Sequence, residues 1–305
     1  MGKTRLVIIS GPTASGKSSL AVELALLFNG EVISADSMQV YKLMDIGTGK
    51  PTFEERKGVA HHLIDVVYPD EEYTAARFRT EASNKINEIA ARGKNVILAG
   101  GTGLYIKALT QGLFSGPEAN RELRQELVAI ASGQGREALH EMLRKIDPEG
   151  ASRIHPNNLN RVVRAIEVFE LAGRPMSSLQ KEHSFSEEQY ECLKIGLNTG
   201  REQLYAAIDA RVDQMISAGL LEETRALSDM GFGYDLKPMC GLGYKEMSGF
   251  LKGEYPFEEA VSLMKRNTRH YAKRQLTWFR KDTATRWFSP SERKEISETA
   301  ERFLS

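Results

Sequence analysis

Apolar positions along the chain fall into two kinds of stretch, short unbroken runs and longer segments with a helical period. Leu6-Val7-Ile8-Ile9, Glu31-Val32-Ile33-Ser34-Ala35 and Asn95-Val96-Ile97-Leu98-Ala99 are short runs, the pattern of strands buried on both faces of a parallel sheet. Residues 19–28 and 74–92 have helical spacing, the second closed by Gly93, where a glycine commonly ends a helix. His61 to Val67 reads as a further strand, and residues 45–51, with Gly47, Gly49 and Pro51, as a loop. Strands alternating with helices predict an α/β core, a parallel sheet flanked by helices.

Ser115-Gly116-Pro117 marks a break, after which residues 118–183 read as helices without strands, interrupted at 133–135, Pro148, Pro156 and 173–175. Within them Leu159, Val162, Val163, Ile166 and Phe169 form one apolar face. Strand character returns at Cys192-Leu193-Lys194-Ile195-Gly196-Leu197. The helical segment, 117–190, is therefore expected to be an all-helical insertion domain in a core made of 1–116 and 191–305, with two chain crossings that permit hinge motion.

The last third reads as helical. Its segment from Ala260 to Lys281 carries Lys265, Arg266, Arg269, Lys273, Arg274, Arg280 and Lys281 and no carboxylate. Arg266, Arg269, Lys273 and Arg280 fall within about 60° of one another on a helix. A solvated face normally mixes signs, whereas here Tyr271, Trp278 and Phe279 are interleaved with cations, as on surfaces that bind nucleic acid by charge and stacking.

A hydrophobic share of 41% over 305 residues is that of a soluble globular protein with a substantial core. Lysines and arginines balance aspartates and glutamates at 41 each, so a polyanionic partner must be held by a local patch. Cys192 and Cys240 are too isolated for a disulfide framework or a C-x-x-C metal site; they read as reduced core thiols of a cytoplasmic protein. The first apolar run is too short for a signal sequence, Leu6 stands where N-myristoylation needs Ser or Thr, and no run is long enough to span a bilayer. No export and no membrane partner are expected.

The most specific chemistry lies in Gly11-Pro12-Thr13-Ala14-Ser15-Gly16-Lys17-Ser18, between the first strand and the first helix, the context that G-x-x-x-x-G-K-[ST] requires. Backbone N–H groups of such a loop point inward, the helix N-terminus adds positive potential, Lys17 brings a point charge, and Ser18 can hold a Mg²⁺ on phosphate oxygens. An ordinary glycine turn is the bland alternative. The loop implies a di- or triphosphate but not which molecule carries it. Asp36, at the end of the second strand, is expected to face the same crevice as Lys17. The paired His61 and His62 fit structural hydrogen bonding, with no third ligand spaced for a metal. The third strand runs into Gly100-Gly101-Thr102-Gly103, where a P-loop nucleotidase would place an Asp for Mg²⁺. Those glycines would bring the backbone close to a ligand and Thr102 would offer its hydroxyl, unless the stretch is a plain turn.

Taken together, GPTASGKS at 11–18, DSMQVY at 36–41, HHLID at 61–65, GGTGLY at 100–105, NRVVR at 160–164, GLGYKE at 241–246 and KRQLTWFR at 273–280 resemble the bacterial tRNA dimethylallyltransferase family. The resemblance runs through nearly the whole chain in order. Singly only the phosphate loop is strong; jointly the set is specific. Gly49 stands where the pattern has Ala and Leu242 where it has Ile, neither expected to touch the chemistry, and the Cys/His zinc-finger extension of eukaryotic relatives is absent. The resemblance implies a P-loop NTPase-like fold and transfer of a dimethylallyl group from dimethylallyl diphosphate to N6 of adenosine 37, beside the anticodon, in tRNAs reading codons that begin with U. The leaving diphosphate would be stabilised by the loop N–H groups, Lys17, Ser18 with Mg²⁺, Thr102 and Arg211. Asp36 would accept the N6 proton or hold Mg²⁺ indirectly. Ser37, Met38 and Gln39 would read the extruded base. Arg124, Asn160, Arg161, Val162, Val163, Arg164, Lys273, Arg274, Gln275 and Arg280 would hold the anticodon stem-loop, together with Asp36 and Thr102, with the helical insertion closing on the stem and the protein a monomer. Two other readings use the same loop: a P-loop kinase that phosphorylates a small molecule with ATP, and a nucleotide-switched RNA-binding module.

Overall fold

A computed structural model describes residues 2–114, 116–183 and 189–305. The expected break at Ser115 and residues 184–188, near the expected end of the insertion, lie outside them. The chain divides into two compact units, Met1–Thr110 with Glu188–Ser305, and Gln111–Glu187.

The first unit is built on β1 (Thr4–Ser10), α1 (Lys17–Leu27), β2 (Gly30–Ser34), α2 (Phe53–Arg56), β3 (His61–His62), α3 (Ala75–Ala91), β4 (Asn95–Gly100) and α4 (Gly103–Gln111). The second unit holds α5 (Arg121–Gln134), α6 (Arg136–Ile146), α7 (Pro148–Arg153), α8 (Leu159–Ala172) and α9 (Met176–His183). The first unit resumes with β5 (Tyr190–Leu197), α10 (Arg201–Ser217), α11 (Leu220–Asp229), α12 (Tyr244–Leu251), α13 (Phe257–Phe279), β6 (Arg286–Phe288) and α14 (Arg293–Leu304).

The six strands form one sheet in the order β3-β2-β4-β1-β5-β6, and every pair is parallel. Side chains alternate across a strand, so Leu6 and Ile8 join one core with Phe78, Ala82, Ile86 and Ile89 of α3. Val7 and Ile9 join the other, with Leu20 and Leu24 of α1 and Ile296 and Ala300 of α14. Both faces are covered, which is why the strands read as unbroken apolar runs. Each such Leu or Ile removed from water contributes about 1.5–3 kcal/mol.

Two expectations about strands need correction. The stretch from His61 to Val67 pairs with β2 over only two residues, because Leu63 and Asp65 turn the chain with φ of 60° and 58°; beyond them an isolated bridge joins Val67 to Tyr41. The last third is also not wholly helical: β6 adds three residues beside β5, too few to leave a pattern. A Cβ at Gly196 would sit 2.7 Å from the Trp287 ring, so β6 packs where β5 has no side chain.

His61 and His62 have structural partners. His61 Nδ1 lies 2.9 Å from Val59 O and His62 Nε2 lies 2.7 Å from Glu31 Oε2. Glu31, only 4% exposed, also accepts from Arg92 at 2.6 Å and Lys94 at 2.9 Å. Burial alone would raise its pKa, but the hydrogen bonds from Lys94 and His62 and the charges of Lys94 and Arg92 outweigh it and bring it down to about 2.

The second unit closes its own core around Leu139, Leu143, Val162, Val163, Ile166 and Val168. Asp147 caps α7, its Oδ1 accepting Gly150 N–H at 2.7 Å. Among the described residues no helix is long and apolar enough to cross a membrane.

Candidate active site

The glycine loop joins β1 to α1. Gly11 has φ 151° and a Cβ there would lie 2.8 Å from Leu197 O, while Gly16 has φ 82° at the N-cap of α1. Ala14 also takes a left-handed backbone, φ 62°. The loop wraps the N-terminus of α1, where backbone donors and the helix dipole favour an anion. It forms one wall of a cavity of about 730 Å³.

Asp36 and Arg211 line the same cavity, with Thr13–Ser19, Asp36–Gln39, Gly100–Gly101 and the 264–275 side of α13 around them. Asp36 follows β2 and turns back on its own chain: its Oδ1 accepts Met38 N–H at 2.8 Å and Gln39 N–H at 3.4 Å. Lys17 Nζ donates to Pro12 O at 2.6 Å. Burial and then the Arg211 charge push the Lys17 pKa down to about 8, with Asp36 opposing. Burial lowers Arg211 too, again against Asp36. The Tyr271 hydroxyl is pushed up to about 12 by burial and then by Asp36. Lys17, Arg211, Lys245 and Arg274 thus line the cavity against two carboxylates, Asp36 and Glu246, so its wall carries an excess of positive charge and suits a polyanion.

The structure brings the loop, Asp36–Gln39, Arg211, Arg274 and Gln275 together, and engages several other expected residues elsewhere. Thr102 was expected against the phosphates, but its Oγ1 accepts Ser37 N–H at 2.9 Å and donates to Ser37 Oγ at 3.2 Å, so it braces the Asp36–Gln39 turn. Gln39 is held at both ends of its amide, by Ser34 Oγ at 2.8 Å and Gly49 O at 3.2 Å. The glycines that end and follow β4 make room for the chain itself, and Gly100 and Gly101 also line the cavity. A Cβ would collide with Ala35 O at Gly100, with Gln275 Nε2 at Gly101 and with Trp278 Nε1 at Gly103.

In the second unit Val162 and Val163 are 0% and 5% exposed; they face that unit's own core and offer no side-chain surface to RNA. Arg124 and Arg164 both pair with the fully buried carboxylate of Glu167, Arg124 through two bonds of 2.8 and 2.9 Å. Asn160 and Arg161 are exposed. On α13 Lys273, Arg274 and Arg280 are exposed, whereas Arg269 of the expected cationic stripe is tied to Asp209 and Lys265 to Asp213.

Other residues touch the site without having been expected there. Gly49 departs from the family pattern, yet its carbonyl accepts from Arg211 Nη2 at 3.3 Å. A Cβ at that glycine, φ 58°, would collide with Nη2 and lie 2.9 Å from Cζ. Leu242 lines the cavity as well, and Cys240 is an exposed thiol at its edge rather than a core one. The loop bearing Gly49 is fixed by Glu223, which accepts N–H groups of Asp45, Ile46 and Gly47 at 2.9, 2.8 and 3.1 Å and the Tyr244 hydroxyl at 2.6 Å. Only the stripe Met264, Thr268, Tyr271 and Gln275, uncharged at i, i+4 and i, i+3 spacing, could have signalled that α13 turns a second face to the cavity.

Comparison with known proteins places these features in a family. Residues 39–282 match the model of the family described as IPP transferase. A tRNA dimethylallyltransferase of Geobacter metallireducens is 54% identical over 93% of this chain and 92% of its own length. One from Geobacter sulfurreducens is 51% identical over 99% and 97%. The crystal structure of the tRNA isopentenylpyrophosphate transferase of Bacillus halodurans superposes with a TM-score of 0.74 at 44% identity, covering 99% of this chain and 97% of that one. A eukaryotic dimethylallyltransferase, crystallised acting on tRNA, gives 0.76 at 35% identity over 90% of this chain and 69% of that one.

Proposed function

The chain belongs to the IPP transferase family, and from that premise we propose that it transfers a dimethylallyl group from dimethylallyl diphosphate to N6 of adenosine 37 in tRNAs that read codons beginning with U. The observation that carries the chemistry is the meeting of the phosphate loop, Lys17, Arg211 and Asp36 on one cavity.

An exocyclic adenine amine is a weak nucleophile, so the barrier falls chiefly by making the diphosphate a better leaving group. Loop amides, Lys17 and Arg211 bind its oxygens as the allylic C–O bond breaks and the bonding pair leaves with the diphosphate. The amine nitrogen forms the new bond to the allylic carbon and its proton passes to Asp36. Oδ1 of that carboxylate is occupied by the Met38 and Gln39 amides, which leaves Oδ2 as the acceptor. The backbone of Asp36–Gln39, braced by Thr102, forms the wall against which the base lies.

The family uses a metal ion, which we take to be Mg²⁺. Among the described residues no group of three or more His, Cys, Asp or Glu could cage a metal. The Ser18 hydroxyl, on the cavity wall, instead fits an ion that takes its remaining ligands from substrate oxygens and water, as Mg²⁺ commonly does. Bound there, it would add positive charge on the departing diphosphate.

The RNA is the anticodon stem-loop; in the first unit the exposed Lys273, Arg274 and Arg280 of α13 and its cap are its candidate contacts, and in the second unit, taken by itself, the exposed Asn160 and Arg161 are, with the protein a cytoplasmic monomer. The test is to incubate protein and tRNA with either prenyl-labelled dimethylallyl diphosphate or γ-labelled ATP. Prenyl label should appear on N6 of adenosine 37; transfer of the ATP label, or of neither, refutes the reading. Asp36→Asn should retain binding of both substrates while turnover falls about 10²–10⁴-fold.

A further inference from the structure

Gln275 sits inside the segment Lys273 to Arg280, between the exposed Lys273, Arg274 and Trp278, but its side chain points the other way. It is 7% exposed. Its Oε1 accepts the N–H of Thr13 at 2.9 Å and its Nε2 donates to Gly101 O at 2.9 Å. One end therefore holds the phosphate loop and the other the chain leaving β4. One turn further along the helix, Trp278 occupies the space that a side chain at Gly103 would fill.

The phosphate loop needs such a hold. Ala14, the residue after Thr13, keeps a left-handed φ of 62°, a conformation that a non-glycine residue retains only where its surroundings over-determine it. The bond to Gln275 fixes the Pro12–Thr13 peptide, one residue before Ala14. The same amide rests against Gly101, so the loop, the β4 end and α13 are joined through one side chain. Each of its polar ends makes one bond within the protein, so both the oxygen and the nitrogen of the amide hold chain segments in place.

We propose that Gln275 is a positioning residue that ties α13 to the phosphate loop, so that RNA bound on the outer face of the helix strengthens diphosphate binding on the inner one. The proposal rests on the functional reading above for the identity of the two ligands. An element engaged by one ligand and packed against the binding loop of another gives a coupling that must act equally in both directions.

The test measures binding without turnover, with inorganic diphosphate and an unmodified anticodon stem-loop as probes. In the wild type each probe should tighten the other by about tenfold. Gln275→Met keeps the length and apolar bulk but makes neither bond. It should weaken diphosphate binding about tenfold, leave stem-loop affinity within about twofold, and abolish the mutual tightening. Loss of stem-loop affinity with diphosphate binding unchanged would make Gln275 an RNA contact and overturn the proposal; so would Gln275→Met with unchanged coupling. Amide hydrogen exchange on the wild type is independent of how the variant folds: stem-loop should slow exchange across residues 11–18, and no slowing overturns the coupling. A wild type that prenylates tRNA yet shows no mutual tightening defeats this inference alone, whereas one that binds both probes cooperatively and transfers no prenyl group defeats the functional reading alone.

Discussion

Raising the pH of the empty enzyme through 8 should switch off its affinity for diphosphate. Burial and Arg211 hold the Lys17 pKa at about 8 rather than 10.5, so half the free molecules have lost that charge at pH 8. An anion binds the charged form, and binding above pH 8 must therefore take up a proton. Apparent affinity should be nearly level below about pH 7 and fall about tenfold by pH 9. Diphosphate itself titrates in this range, so the quantity to measure is the ratio of dissociation constants for Lys17→Arg and wild type, by calorimetry without divalent ions. A guanidinium stays charged throughout, and only Lys17 shapes that ratio. Folding has the opposite sign. A lysine with a depressed pKa destabilises the empty fold while charged, so its penalty is relieved as pH rises from about 8 to 10.5. A ratio that stays constant from pH 7 to 9.5 would show that Lys17 is not an electrostatically stressed cation, and the account of the cavity would fail.

Further outcomes follow from the contacts around the site. Glu31→Gln should lower stability at pH 7 by about 2 kcal/mol, allowing for screening of the half-exposed Arg92 and Lys94. The wild-type contribution is present above about pH 4.5 and lost toward about pH 2, so the variant should show a shallower acid limb in urea titrations. Tyr244→Phe removes a buried bond to a carboxylate and should cost about 1.5–3 kcal/mol in chemical denaturation; a loss below about 0.5 kcal/mol would mean that Glu223 holds the 45–47 loop without it. Arg161→Ala and Lys273→Ala should each make the slope of log affinity against log salt for tRNA shallower by about 0.7–0.9, leaving inorganic diphosphate binding unchanged.

What the sequence discloses depends on whether the signal is local. β1, β2 and β4 are legible because burial on both faces writes apolar residues into consecutive positions, β5 shows only interrupted strand character, β3 is shorter than the strand its sequence predicts, and β6 is too short for any period. The phosphate loop is legible because strand, turn and helix N-terminus are contiguous. Arg211 is not, since the residues that give it a role, Lys17, Asp36 and Gly49, come from distant parts of the chain; the family resemblance, not periodicity, brought it forward. Resemblance also named Val162, Val163 and Gln275 as RNA contacts, and there it speaks for a segment more than for each side chain. A helix has two sides, and only packing reveals which residues turn inward.

Gly49 and Arg211 compete for a single parcel of space. Either a methyl group or the tip of the guanidinium can fill it, so two positions 162 residues apart form one steric unit, and a change at either is a change at both. A methyl group at the first would re-aim the second, so the path by which the cation reaches its anion is set jointly by a loop backbone and a helix side chain.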